Sequence, residues 1–227
     1  MRLDDTNRPD SLSNRFRARR DVRLRELLAS VAARKGSVRI LDLGGSVEYW
    51  RRFGFDVLRE NKAHVTVLNH IASELKDDLI DKELFSTAVG DACELDMYKD
   101  GAFDLIHSNS VIEHVGNWAR TKAFAREVRR LSDTYYIQTP NFWFPIDPHY
   151  YRVPAFHWIP RPIQSRLLRR FPIVYSGRSA TLDAAYGILD DVQLLDRQQM
   201  EYLFPDAVIS REKLFGLTKS LIAIREP

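Results

Sequence analysis

Five short runs rich in β-branched and aliphatic residues, from Val38 to Leu43, Ala63 to Leu68, Phe85 to Val89, Phe103 to His107 and Tyr135 to Gln138, constrain this chain more than any other feature. Each is separated from the next by a polar or helix-patterned stretch. Strands that alternate with helices call for right-handed crossovers, and so for a mostly parallel sheet covered on both faces. The segment from Asn117 to Leu131, with Trp118, Phe124, Val128 and Leu131 set among Arg and Glu, has the pattern of a crossover helix. At 227 residues and 44% hydrophobic composition, the chain is expected to form one α/β domain with a substantial core.

The rhythm differs at both ends. From Ser13 to Arg34, Phe16, Val22, Leu24, Leu27, Leu28 and Val31 recur at mostly helical spacing, so residues 1–36 are expected to form an N-terminal helical extension ending near Gly36. The main domain then runs over 37–227. Near the C-terminus, Ala207 to Ser210 and Leu217 to Ile224 are strand-like runs joined through REKLFG, too short a link for a helix, and they should pair antiparallel. Between about 141 and 179, a Pro- and aromatic-rich stretch that includes PNFWFPIDPHYYRVPAFHWIPRP fits neither period and reads as a lid or substrate-facing insertion.

Open α/β sheets bind ligands beyond the carboxyl ends of their strands. The run VRILDLGGS ends in Asp42 followed by Gly44 and Gly45, residues that let the backbone turn tightly and approach a ligand closely. Such a turn alone is only a turn. The dinucleotide fingerprint G-x-G-x-x-G is absent, because Gly44, Ser46 and Tyr49 stand at its three glycine positions.

In motif order the chain resembles the class I S-adenosylmethionine-dependent methyltransferases, specifically a bacterial group similar to type 11 methyltransferases. Asp42, Gly44 and Ser46 match the acid-x-Gly-x-Gly of the first motif, with Ser46 departing from the second glycine. After the second strand HVTVLNH offers Asn69, an amide where the family has a carboxylate on the ribose hydroxyls. VGDACEL supplies Asp91, which resembles the acid that accepts from the adenine amine, with Ala92 beside it. FDLIHSNSVIEHVGNW, containing Ser108, looks like the segment that lines the methionine end of the cofactor. PNFWFPIDPH and LFGLTKSLIAI are similar to the segments that follow the fifth strand and close the sheet in that group. The resemblance implies a Rossmann-like methyltransferase fold, a mostly parallel seven-stranded sheet with a C-terminal antiparallel hairpin. It also implies S-adenosyl-L-methionine as cofactor, with Asp42, Gly44, Gly45, Ser46, Asn69, Asp91, Ala92 and Ser108 as its contacts.

Methyl transfer from a sulfonium requires alignment of acceptor and methyl group, and a hydroxyl acceptor must also lose a proton. His114 and His149 are the candidate bases, with Glu113 able to orient an imidazole or take a proton itself. The alternative is that Glu113 and His114 only anchor the helix that follows. SVIEHV also resembles the E-x-x-E-H element of metal-assisted 2′-O-methyltransferases and quinone-biosynthesis O-methyltransferases, but Ser110 replaces its first carboxylate. A Mg²⁺ site would then be short of protein ligands, and no metal is expected.

The acceptor is expected to be a small molecule, a sugar or a lipid-linked compound. Six arginines and no acid lie between His149 and Ala180, and a second basic region spans Arg15 to Arg25. These could be solvated faces, could pair with an anionic acceptor, or could give peripheral contact with an anionic membrane. The formal net charge of +3 does not point to nucleic acid, and SNSV after the fourth strand lacks the Asn/Asp-Pro-Pro-Tyr/Phe signature of base methylation. RNA ribose 2′-O-methylation and a noncatalytic, methyltransferase-fold binding protein are the alternatives. Cys93 is the single cysteine, and no signal-like or membrane-length apolar run is present, so a cytoplasmic protein is expected.

Overall fold

The computed structural model describes residues 12–71, 81–150 and 153–226, with side chains from Arg20 onward. Tyr151, Arg152 and the side chain of Phe16 lie outside the described residues. The strands are β1 (Val38–Leu43), β2 (Ala63–Asn69), β3 (Phe85–Val89), β4 (Leu105–Asn109), β5 (Tyr135–Pro140), β6 (Val208–Leu214) and β7 (Leu217–Arg225). They form one seven-stranded sheet in the order β3-β2-β1-β4-β5-β7-β6. The pairs β1–β2, β1–β4 and β2–β3 are parallel, and β6–β7 is the antiparallel hairpin expected from the tail.

By packing, the chain divides into two compact units. One runs through Ser108 and takes in Val128–Tyr136 and the end of the chain from Arg225; the other comprises Asn109–Glu127 and Ile137–Ile224. In the first, β1 and β4 are buried almost throughout, as strands covered on both faces must be. Helix α1 (Leu12–Lys35) turns Leu24, Leu27, Leu28 and Val31 inward at i, i+3, i+4, i+7 spacing, whereas Val22 is exposed. It stops at Gly36, whose φ of 80° suits the left-handed residue that follows a helix. Two short helices, α2 (Val47–Phe53) and α3 (Phe55–Glu60), connect β1 to β2 and bury Trp50, Phe53 and Leu58.

Strand β4 starts two residues later than the apolar run suggests. Asp104 is engaged instead with Arg39, its carboxylate accepting from the Arg39 backbone N–H at 2.9 Å and from Nε at 3.0 Å. Helix α4 (Trp118–Leu131) begins at Asn117, whose Oδ1 accepts from Ala119 N and Arg120 N.

In the second unit, the expected insertion is a packed subregion. It holds 3₁₀ turns at Pro148–Tyr150 and Phe156–Trp158, then α5 (Arg161–Arg170), which starts with a proline in its first turn. Tyr150, Phe156, Leu168, Ile173 and Val174 form an apolar cluster with Ala185 and Leu189 of α6 (Leu182–Asp190). Helix α7 (Arg197–Leu203) opens with a capping box between Asp196 and Gln199. Among the described residues, no helix is long and apolar enough to cross a membrane.

Candidate functional site

The turn after β1 is built around a buried carboxylate. Asp42 is fully buried, and both of its oxygens are engaged: Oδ2 accepts from Trp50 Nε1 at 2.7 Å and Oδ1 from His107 Nδ1 at 2.6 Å. The turn wraps so tightly over this group that a Cβ on Gly45 would stand 1.6 Å from Asp42 Oδ2, so only glycine fits there. Gly44 takes a φ of 67°, and its N–H donates to Leu68 O at 2.8 Å. Two further side chains brace the turn from neighbouring strands. Asn69 Nδ2 donates to Gly45 O at 3.0 Å, and Ser108 Oγ donates to Leu43 O at 3.1 Å. Ser46 caps α2 by accepting from Tyr49 N.

The structure thus places Asp42, Gly44, Gly45, Ser46, Asn69 and Ser108 around one turn. Asp91 lies beyond the end of β3, where its Oδ1 accepts from Cys93 N at 2.9 Å, with Ala92 half-buried beside it. The residues not anticipated from the sequence are Trp50, His107 and Tyr49. The His107 ring stacks on Tyr49 with centroids 4.9 Å apart, and the Tyr49 hydroxyl bonds to Asp21 Oδ1 at 3.3 Å. Nothing in the spacing of Asp42, Trp50 and His107 signals their meeting.

The second constellation lies in the other unit, and its parts are held differently. Ser110 turns through φ 59° and is fixed by Gln138, which bonds both its N–H and its hydroxyl. The 3₁₀ turn Ile112–His114 follows, pinned where Gln193 N donates to Glu113 O at 2.7 Å. The Glu113 carboxylate is fully buried; Oε2 accepts from Thr139 Oγ1 at 3.0 Å, while Oε1 has no partner among the described residues. Burial pushes its pKa up to about 7, against the opposing pull of its backbone and Thr139 hydrogen bonds.

Each histidine has its Nδ1 assigned by its partner. His114 Nδ1 faces Asp191 O at 3.0 Å, and a carbonyl can only accept, so this nitrogen carries the hydrogen. His149 Nδ1 lies 2.7 Å from Asp147 Oδ1, which also accepts from the His149 backbone N–H. The two Nε2 atoms are left 3.1 Å apart, with the rings edge to face. Two neutral imidazoles with hydrogen on Nδ1 would point their Nε2 lone pairs at each other, a conflict that a proton on one Nε2 would relieve. Burial opposes a charge on His149, but the Asp147 hydrogen bond and charge outweigh burial and raise its pKa, whereas burial and the neighbouring His149 lower that of His114.

Glu113, His114 and His149, the three catalytic candidates from the sequence, therefore form one cluster. Their ligand-capable atoms lie within 4.8 Å of one another. Asp147, Thr139 and the Asp191 carbonyl are the supporting groups that the sequence did not reveal, although Asp147 stands two residues before His149 in the DPH of the insertion. His157 lies elsewhere, its ring against Phe142 and Trp158 and its Nε2 on Phe142 O at 2.8 Å.

A family model described as a methyltransferase domain matches residues 44–133. That span contains the β1 turn from Gly44, along with Asn69, Asp91, Ser108, Glu113 and His114. No curated protein matches the sequence. Among solved structures, the N-terminal domain of EvdMO1 with SAH bound aligns with a TM-score of 0.53 and 15% identity, covering 92% of this chain and 80% of that one. The CurJ carbon methyltransferase aligns with a TM-score of 0.52 and 14% identity over 84% of this chain. This chain spans about half of the CurJ protein's length, 49%. The fold expected from the sequence, a Rossmann-like methyltransferase fold with a mostly parallel seven-stranded sheet and a closing hairpin, is the fold observed.

Proposed function

We propose that this chain, whose residues 44–133 match a methyltransferase-domain family, binds S-adenosylmethionine at the β1 turn and methylates a hydroxyl oxygen of a small molecule. The observation that carries this reading is the coincidence of the matched segment with a turn that admits no Cβ at Gly45 and is braced from two adjacent strands. Such a turn brings main chain, rather than side chain, up to a ligand. The donor set fits the cofactor. Asn69 spends its amide nitrogen on Gly45 O, which leaves its oxygen to accept from a ribose hydroxyl; Asp91 accepts from the adenine amine, beside Ala92. Asp42 acts through the shape of the turn, since both of its oxygens are engaged internally.

The cofactor supplies an electrophilic methyl group on a sulfonium, so the protein's remaining tasks are alignment and proton removal. Proton removal falls to the Glu113, His114 and His149 cluster, whose imidazoles are already oriented by Asp191 and Asp147. A sugar or lipid-linked acceptor suits the insertion, where Trp143 and Trp158 are exposed and arginines outnumber acids.

The direct test is incubation with donor labelled in its methyl group and a cell lysate separated into lipid, glycan and RNA pools. Label in the lipid or glycan pool, lost in Asp91→Ala, is expected. Label confined to RNA would replace the small-molecule acceptor with ribose methylation, and no label in any pool would remove the proposal.

A further inference from the structure

The facing nitrogens of His114 and His149 have a second way of resolving their conflict. We infer that Glu113, His114 and His149 form a binding site for a divalent transition-metal ion of the zinc class. Three features of the geometry point there. First, both rings donate Nδ1–H to a fixed oxygen, a backbone carbonyl for His114 and a carboxylate for His149. That arrangement presets a metal-ligating imidazole, because it fixes the tautomer and aims the Nε2 lone pair.

Second, the Nε2 atoms lie 3.1 Å apart. Two nitrogens bound to one ion at about 2.0–2.1 Å stand roughly 2.9–3.4 Å from each other for bond angles between right-angled and tetrahedral. Third, Glu113 is fully buried with Oε1 unpartnered among the described residues, and its carboxylate is the third ligand within the 4.8 Å cluster. A desolvated oxygen with no donor is costly unless something cationic or protic meets it.

Two imidazoles and one carboxylate favour zinc, iron, cobalt or nickel over magnesium, which prefers oxygen ligands. Three protein ligands leave coordination open for water or an acceptor oxygen. His114 is the most accessible of the three, its side chain one-third exposed, so an ion can enter from its side. The inference refines the proton-withdrawing role proposed for the cluster. With both Nε2 atoms on the ion, an acceptor hydroxyl bound there becomes more acidic because the cation stabilises the alkoxide, and its proton passes to solvent water instead of to a free imidazole.

The test needs no turnover. The full chain, stripped with chelator and dialysed, is titrated with Co²⁺ and followed by visible absorption. A ligand-field band saturating at one ion per chain is expected, displaced by Zn²⁺ and unaffected by millimolar Mg²⁺. His114→Ala, at the accessible position, should weaken binding by more than the roughly 10–100-fold that Asp147→Asn costs by misorienting His149. His64→Ala, a histidine bonded to Glu83 O and Ser86, should leave binding unchanged. Absence of a saturable band, or a band that survives both His114→Ala and His149→Ala, would overturn the inference. Because the readout is metal occupancy, its failure leaves the imidazole pair as proton acceptor, and failure of methyl transfer leaves the metal site standing.

Discussion

The turn after β1 and the histidine cluster are both polar and both packed into protein, yet they close their hydrogen bonds in opposite ways. At the turn, Asp42 spends both oxygens on Trp50 and His107, and Asn69 and Ser108 spend their donors on main-chain carbonyls. In the cluster, two nitrogens face each other and a buried carboxylate oxygen faces nothing among the described residues. The difference separates shape from reactivity. A turn whose carboxylate is fully engaged and whose main chain is braced by Asn69 and Ser108 offers that main chain to a ligand, whereas a cluster with unmatched lone pairs is poised for a proton or a cation.

That contrast can be broken at its rigid end first. Gly45→Ala places a methyl group on the Asp42 carboxylate and should destabilise the protein by about 3 kcal/mol or more, read as a drop in denaturant midpoint. Asp42→Asn, which leaves a buried partner unmatched, should act in the same direction. A Gly45→Ala protein of unchanged stability would show that the turn has room to move away from Asp42.

At the reactive end the balance reverses. His114→Ala removes a partly exposed ring and should change stability by less than about 1 kcal/mol. It should nevertheless lower methyl transfer by about 100-fold, with cofactor affinity retained. Equal losses in stability and turnover would make the cluster a structural anchor for the helix that follows it.

The smallest effect is a control from the first unit's framework. Burial alone would raise the pKa of Asp104, but the hydrogen bonds and charge of Arg39, aided by Lys35, hold it below the ordinary carboxylate range. A depressed folded-state pKa contributes stability above the unfolded value of 3.8 and loses it as pH falls through the folded value. Asp104→Asn should therefore cost stability near neutral pH, by no more than about 1 kcal/mol after solvent screening, and nothing once the carboxylate is protonated in both states. Denaturation curves at pH 7 and pH 2 check it.

Local chemistry made the strands legible. The parallel core strands are continuous apolar runs, and the tail's two runs have too short a link for anything but a hairpin. The apolar reading starts β4 too early because Phe103 precedes Leu105 and Ile106 across a single polar residue, Asp104, whose carboxylate bonds to Arg39 in a long-range contact. Helices α6 and α7 carry readable signals, a Thr181 cap and the Asp196–Gln199 capping box. The Pro-rich insertion has no period to read, since its backbone is organised by 3₁₀ turns and by an apolar cluster completed by α6.

At the candidate site, the residue types were legible and their partnerships were not. The pairing of His114 with His149 depends on β5 and the turns beyond it, which bring together rings 35 residues apart in the chain. The engagement of Asp42 depends on His107, which arrives on a different strand.

Cofactor binding at the β1 turn is tested by calorimetric titration of the full chain with S-adenosylhomocysteine. Saturable one-to-one binding is expected, weakened by roughly tenfold or more in Asp91→Ala through loss of a charged hydrogen-bond acceptor. No heat of binding at millimolar ligand, from a chain shown to be folded, would mean that the β1 turn does not hold the cofactor.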